Sequence, residues 1–342
     1  MFTNGPSAIT VAEKKQFIEG YEHAYQQSES ILDPLVDKCT QQSESDIYQR
    51  IGEAEDMRED VTRFGDNPTS DIPHDARHIS LRHFELGKHI VDPKDRMVVV
   101  SDPSNAYTQA LLKSGRRKRD DFIVDKYFAD ARTGKEGTEM VSYTRTPDDE
   151  NDAKVRVGGL SKGSSNPIKT GGIFTLTGAA SEGVSVGANY DGTSGGTASG
   201  LTLNKLKALR EAMLRIEGIS EEDVIPLTIT ARQMRDLMNI DEVINSDYSY
   251  KKALADGTIS NFHGFRFIHT ERLALSQGAG GDERRCMAFL PRAFKLAIGK
   301  DLVSDLFNDS GKKNVPYILF RQSIGASRMW GELAGEIRCL ED

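Results

Sequence analysis

Three groups of residues have the types and spacing that chemistry could use. Gly158-Gly159-Leu160-Ser161-Lys162-Gly163-Ser164-Ser165 has the composition of a phosphate cradle. A working phosphate loop needs a glycine four residues ahead of Gly-Lys-Ser/Thr, held between a buried strand and a helix. Here the order is Lys-Gly-Ser, the preceding stretch is charged and Pro167 follows, so a flexible glycine loop is the better reading. Four of the seven histidines, His74, His78, His83 and His89, fall in one stretch. On a strand His78 and His83 face opposite sides, and no carboxylate pair at ligand spacing completes a tetrahedral site. His263 and His269 flank a Gly-Phe-Arg-Phe strand and read as structural. Arg116-Arg117-Lys118-Arg119, followed at once by Asp120-Asp121, is the sharpest basic cluster. Three uses stay open for it: a solvated helix face with neighbouring salt links, contact with phosphates, or docking of a neighbour's acidic arm. Arginine's planar fork suits pairing with carboxylates at an interface. No Ser-His-Asp arrangement can be assembled, and none of Cys39, Cys286 and Cys339 stands beside a histidine. No cofactor, metal or reaction is expected.

The elements that must carry these residues are uneven along the chain. Over residues 1–66 acidic side chains outnumber basic ones by 14 to 6, whereas residues 67–342 balance at 38 against 38, so the whole net charge of −8 sits in an arm. Its sparse apolar residues fall at helical spacing: Phe17, Tyr21, Ala24, Ser28 and Ile31 on one face, then Ile47, Ile51, Ala54, Met57, Val61 and Phe64. Thr10 with Glu13 makes a capping box. Narrow apolar stripes on very polar helices suit docking onto another surface, foremost another copy of the chain. The hydrophobic fraction is 37% and mean hydropathy is −0.49, which points to stability drawn from subunit contacts. The odd cysteine count favours a reducing compartment and structural thiols. No secretory signal is visible, and no run approaches the roughly 18 apolar residues of a membrane span. A pI near 5.5 argues against a dedicated nucleic-acid binder.

After a break at residues 67–76, the chain to Val100 alternates as strands do, with turn signals at Gly87 and Asp92-Pro93, which predicts a two-stranded projection polar on both faces. Asp102-Pro103 opens a long helix, predicted to about Ala131 with a bend at Ser114-Gly115, whose second half buries Ile123, Val124, Tyr127 and Phe128. Residues 134–157 resume strand-like alternation, and residues 158–200 read as a Gly-rich, loop-heavy insertion or weak hairpin. From residue 201 the pattern is ordinary: a helix with Leu203, Leu206, Leu209, Met213 and Ile216, a buried strand at Val224–Ile229, a helix capped by Thr230, and a strand at Phe265–Ile268. Cys286–Leu290, Phe294–Ile298, Tyr317–Arg321 and Ser327–Ala334 supply four further strands, giving an α+β body.

Taken in order, an acidic helical arm precedes an extended projection, and a long helix ends in Asp121-Phe122-Ile123-Val124-Asp125 and Ala131-Arg132-Thr133-Gly134-Lys135-Glu136-Gly137. There follow Phe262-His263-Gly264-Phe265-Arg266-Phe267-Ile268 and the closing strands after Phe289-Leu290-Pro291-Arg292-Ala293. This order resembles the major capsid proteins of tailed bacteriophages, the Hong Kong 97-type shell fold. The resemblance implies an N-terminal arm at residues 1–66, an extended loop at 67–100 and a peripheral domain with a spine helix at 101–157. It further implies an insertion at 158–200, an axial domain at 201–285 and closing strands at 286–342. The implied function is a structural, non-enzymatic protein that self-assembles into hexamers and pentamers of an icosahedral shell. Its partners are then copies of itself and non-specifically held double-stranded DNA at the inner face, with scaffolding, portal and decoration proteins as further candidates and no membrane. Its location is the virion capsid, after assembly in the host cytoplasm. The residues expected at contacts between subunits are Phe17, Tyr21 and Tyr25 in the arm, Arg82, Phe84, Leu86 and Lys88 in the projection, and Arg116, Arg117, Lys118 and Arg119 on the helix. Two alternatives remain: an encapsulin-type compartment that loads enzyme cargo, and a nucleotide-using enzyme with residues 158–165 as its phosphate loop.

Overall fold

The computed structural model describes residues 27–51, 72, 74–89, 104–143, 181–192, 196–214, 219–240, 259–278, 281–312 and 315–341. In chain order the elements are β1 (Asp37–Thr40), β2 (Ser45–Ile51), β3 (His74–Ser80), β4 (Arg82–His89), α1 (Ser104–Phe128), β5 (Ala131–Thr133), β6 (Glu139–Tyr143), β7 (Ser181–Glu182) and β8 (Val184–Val186). Then come α2 (Leu203–Leu214), β9 (Ile225–Ile229), α3 (Ala231–Met238), β10 (Asn261–Phe262), β11 (Phe265–His269), β12 (Leu275–Gly278), β13 (Gly281–Phe289), β14 (Phe294–Asp309), β15 (Val315–Arg328) and β16 (Ala334–Leu340). Two compact units divide the chain: one holds residues 1–29, 83–117 and 300–322, the other residues 30–82, 118–299 and 323–342.

The larger unit is built on a seven-stranded sheet in the order β10-β11-β9-β13-β16-β8, with β12 beside β13. Every residue of β9 is buried, and its unbroken Ile-Pro-Leu-Thr-Ile run is what a strand covered on both faces requires. Helix α2 lays Leu206, Leu209 and Met213, all fully buried, against this sheet at β8 and β16. Burying each such side chain stabilises the unit by about 1.5–3 kcal/mol. Thr230 and Gln233 form the capping box that starts α3, as the sequence predicts. His263 (φ 51°) and Gly264 (φ 77°) make a two-residue turn between the antiparallel β10 and β11, a backbone in which glycine removes the Cβ penalty.

A second, five-stranded sheet has the order β2-β3-β5-β6-β7. It corrects two expectations. Residues 45–51 are a strand, not part of a helix: Ile47 and Ile51 lie on its exposed face while Arg50 is buried. The i, i+4 spacing that suggested a helix also places both isoleucines on one face of a strand, because four is an even number of pleats. Residues 67–100 are not a two-stranded projection either. β3 pairs with β2 and β5 and buries Arg77 and Ile79, whereas β4 belongs to another sheet. The remaining arm expectations, on residues 1–26 and 52–66, and those on residues 90–103, lie outside the described residues. Ser28 and Ile31 lie in irregular chain.

Three further boundaries shift. Residues 158–180 lie outside the described residues, but β8 buries Val184 and Val186 and pairs in parallel with β16, so the end of the expected insertion belongs to the main sheet. β13 runs through position 285, so the expected border between axial domain and closing strands falls inside one strand. Helix α1 continues through Ser114-Gly115, where a Cβ on Gly115 would stand 2.8 Å from Leu302 Cδ1. The glycine permits close approach of a strand and is not a bend.

The larger unit's interior is wired with charge. Arg328 is fully buried, and its Nη1 donates to the carbonyls of Tyr127 and Ala129, each at 2.5 Å, while Nη2 donates to Val141 O at 3.2 Å. It thus satisfies orphan acceptors at the C-terminal end of α1, where a cation also meets the negative end of the helix dipole. Tyr127 ends the same helix among Phe289, Phe294 and Tyr143, with its hydroxyl 2.9 Å from Gly335 O. Glu336, wholly buried, accepts from Arg285 at 2.6 Å, Arg338 at 3.1 Å and Ser185 Oγ at 2.8 Å. Burial raises its carboxyl, but the two guanidinium groups outweigh burial and hold it below the ordinary range. The Arg285 guanidinium lies 3.6 Å from the centroid of the Phe128 ring. Cys286 and Cys339 are both fully buried in this sheet.

Two predictions follow from these contacts. Arg328→Met orphans three carbonyls at about 1 kcal/mol or more each, so the urea midpoint of unfolding falls by the equivalent of about 3 kcal/mol. Arg328→Lys recovers less than half of that loss, because an ammonium cannot span three acceptors in one plane. Glu336 has a folded pKa below its unfolded value of about 4.3, so its contribution is complete above that pH and is lost as pH falls through the folded value. Glu336→Gln therefore costs about 3–5 kcal/mol at pH 7 and flattens the acid side of the stability–pH curve, measured by denaturation from pH 7 to pH 2.

Candidate assembly surfaces

In the smaller unit, residues 83–89 of β4, 300–309 of β14 and 315–322 of β15 form a three-stranded ribbon beside the first part of α1. Alternation gives the ribbon two different faces. One is polar and aromatic. His89 Nε2 lies 3.0 Å from Asp309, Tyr317 packs at a tilt between the rings of His89 at 4.5 Å and Phe307 at 5.2 Å, and Arg321 reaches Glu85 at 3.8 Å and Asp305 at 3.9 Å. Gly87 belongs to this face, because a Cβ there would stand 2.0 Å from the Tyr317 hydroxyl oxygen. The other face carries Leu302 against Gly115 of α1 and Gln322, whose Nε2 donates to Gly115 O at 3.1 Å. Ile318 and Phe320, at the same parity as Gln322, are buried beside them.

Further along that second face the cover ends. Phe84, Leu86 and Lys88 share it, since Gly87 points to the opposite side. Leu306 shares it as well, four residues on from Leu302. Leu86 is 44% exposed and Leu306 is 70% exposed. Phe84 is half-buried and Lys88 exposed. Four of the expected contact residues therefore belong to β4. Arg82 stands at its head, exposed, and Phe84, Leu86 and Lys88 lie together on the partly apolar face. Leu306 was not among the expected residues. Its signal was available in the sequence, because Leu302 and Leu306 keep strand alternation well beyond the short strand read at Phe294–Ile298.

The basic cluster sits on α1, with Arg116, Arg117 and Arg119 half-buried and Lys118 exposed. In the smaller unit Arg116 Nη1 donates to Ser28 O at 3.1 Å. In the larger unit Arg119 lies 3.5 Å from Asp33, while the buried Asp120 accepts from the backbone N–H groups of Ile31 at 3.0 Å and Leu32 at 3.2 Å and from the Ser30 hydroxyl. Part of the cluster thus ties down the base of its own chain's arm, and the neighbouring aspartate does so most directly. Phe17, Tyr21 and Tyr25 lie outside the described residues, as does the glycine-rich segment 158–165. The four clustered histidines are dispersed: His78 Nε2 is 2.8 Å from Gly134 O, His89 pairs with Asp309, and His74 and His83 are exposed. Among the described residues no group of three or more His, Cys, Asp or Glu is arranged to hold a metal, and no helix is long and apolar enough to cross a membrane.

The sequence profile of the phage capsid protein family matches residues 9–341. No curated protein matches the chain in sequence. Among solved structures, the capsid of cyanophage P-SCSP1u superposes with a TM-score of 0.66 at 15% identity, covering 100% of this chain and 97% of that one. The capsid chain of cyanophage Pam1 gives 0.63 at 11% identity over 99% and 100%, and that of Ralstonia phage GP4 gives 0.61 at 10% identity over 100% and 98%. The fold is the Hong Kong 97-type shell fold, and the chain belongs to the phage capsid protein family, as a structural protein of a virion shell.

Proposed function

We propose that this chain is the major capsid protein of a tailed phage, assembling as hexamers and pentamers into an icosahedral shell around double-stranded DNA. The observation that carries the reading is the second face of the ribbon. A strand face that is buried at Ile318 and Phe320 continues outward to Leu86 and Leu306, which are left in water. Single chains rarely spend apolar surface in that way unless a partner covers it. The tether of residues 28–33 on α1 supports the same reading, because it fixes the root from which residues 1–26 can reach a neighbour.

In this reading the arm is the part of residues 1–66 that precedes the tether, residues 1–26, and the extended loop is the part of residues 67–100 from β4 onward, because β2 and β3 belong to the five-stranded sheet. Residues 101–157 form a peripheral domain around the spine helix α1, residues 201–285 an axial domain at the capsomer centre, and residues 286–342 the closing strands that support both. Residues 158–200 begin as an insertion and end in the main sheet. Phe17, Tyr21 and Tyr25, with Arg82, Phe84, Leu86 and Lys88, meet neighbouring subunits, and the exposed part of Arg116–Arg119 meets a neighbour's acidic arm or DNA phosphates. Assembly takes place in the host cytoplasm with scaffolding, portal and decoration proteins as candidate partners, and the protein catalyses no reaction.

Size-exclusion chromatography of the expressed protein, with electron microscopy of the largest fraction, tests this. Shells or capsomer-sized rings are the expected result, and a monomer at every concentration refutes it. Particles filled with protein and free of nucleic acid would instead indicate a cargo compartment. Leu306→Asp is expected to leave the unfolding midpoint of the unassembled protein within about 0.5 kcal/mol while abolishing particles. Removal of residues 1–26, which spares the anchored Ser28–Asp33, is expected to leave the fold intact and give no closed shells. Normal shells from the truncated chain would sink the arm assignment.

A further inference from the structure

The five-stranded sheet has an open face. Strand register sets Ile47 opposite His78, His78 opposite Arg132, and Arg132 opposite Met140, so one row of side chains crosses four strands on the same side. Gln49 and Ile51 on β2, with His74 and Ala76 on β3, extend that face by alternation. The opposite face is the buried one, with Arg50, Arg77, Ile79, Ala131 and Thr133. On the open side Ile47 is 56% exposed, Ile51 60% and Met140 58%. The polar residues between them are Arg132, His74, His78 and Gln49, and none of these positions is a carboxylate. An apolar row with an arginine and neutral polar groups at its register positions fits an acidic amphipathic segment.

This chain contains one. Residues 53–64 (Glu-Ala-Glu-Asp-Met-Arg-Glu-Asp-Val-Thr-Arg-Phe) hold five carboxylates against two arginines, with Met57, Val61 and Phe64 at i, i+4 and i+7. They fall within residues 52–73, which join Ile51 to His74. Those two residues are register partners that a turn of about 2–5 residues could connect. A far longer link between adjacent antiparallel strand ends is a mark of function. Ile47, Ile51 and Met140 are exposed on this face, and the shell reading supplies the neighbouring copies that would cover it.

We propose that the outer face of this sheet receives residues 53–64 of a neighbouring copy, with Met57, Val61 and Phe64 packing on Ile47, Ile51 and Met140 and the flanking carboxylates facing Arg132, His74 and His78. The inference rests on the shell reading above and adds to it a specific donor and receiver. The contact is heterologous, so each copy gives one segment and receives another, as a closed shell requires.

The test mixes two full-length variants carrying tags of different mass, one with Val61→Cys and one with Met140→Cys, and assembles them together. Mild oxidation should give a disulfide-linked pair containing both tags. It should be absent from mixtures with wild-type protein and severalfold weaker when Arg132→Glu is added to the receiver. A bond that forms only when both cysteines are in one chain overturns the proposal. So does the absence of any bond in particles of normal appearance, which leaves the shell reading standing. Failure of all variants and of wild type to form particles strikes the shell reading itself and takes this inference with it.

Discussion

The larger unit depends on the guanidinium of Arg328. One buried side chain, delivered by the inner end of β15, gathers one carbonyl from the last turn of α1, one from Ala129 just past its end and one from β6. A long helix that ends inside a protein has to place its last carbonyls somewhere, since water cannot reach them. Here a single fork does so, and in the same stroke fixes the helix, the five-stranded sheet and the strand that leads back to the seven-stranded sheet. The aromatic cluster of Tyr127, Tyr143, Phe289 and Phe294 can pack as it does because the helix end is held in one place.

Arg328 is part of a broader choice. Arg50, Arg77, Arg210 and Arg338 are buried as well, with Asp120, Glu283, Glu336 and Lys205. Burial, with the charge of Arg50 nearby, lowers the Arg77 guanidinium to about 10. Each such group is costly to desolvate and becomes tolerable only when its hydrogen bonds are made. Lys205 shows how: its ammonium donates to the carbonyls of Ser199, Gly200 and Arg338 at 2.7, 2.8 and 3.2 Å. A chain with only 37% hydrophobic residues thus gains from polar networks part of the definition that larger apolar cores provide. Such networks tolerate few alternative arrangements, which suits a protein that must repeat one geometry in every copy.

Much of this was legible in the sequence where local rules decide the outcome. The helix cap at Thr230, the amphipathic stripe of α2 and the apolar run of β9 are short-range signals, and each element stands where its residues place it, whereas the sequence marks the His263-Gly264 turn only as the edge of a strand. What misled was spacing shared by two periods: Ile47 and Ile51 keep one face in a helix and in a strand alike. What could not be read was partnership at long range. Nothing near Asp120 says that it accepts from Ile31 and Leu32, and nothing near Glu336 announces Arg285. Of the candidate surfaces, the residues on β4 were accessible through alternation, and so was the companion Leu306, whose alternation with Leu302 runs on past the short strand read at Phe294–Ile298.

The cysteines carry a consequence for the particle's life outside a cell. Cys286 and Cys339 lie fully buried in the seven-stranded sheet, and the neighbouring Cys339 together with burial pushes the Cys286 thiol well above its usual range. Only the thiolate reacts readily with oxidants, so Cys286 is closed both by depth and by proton. In a virion shell the sheet that covers both sulfurs therefore withdraws them from oxidants in the surrounding water.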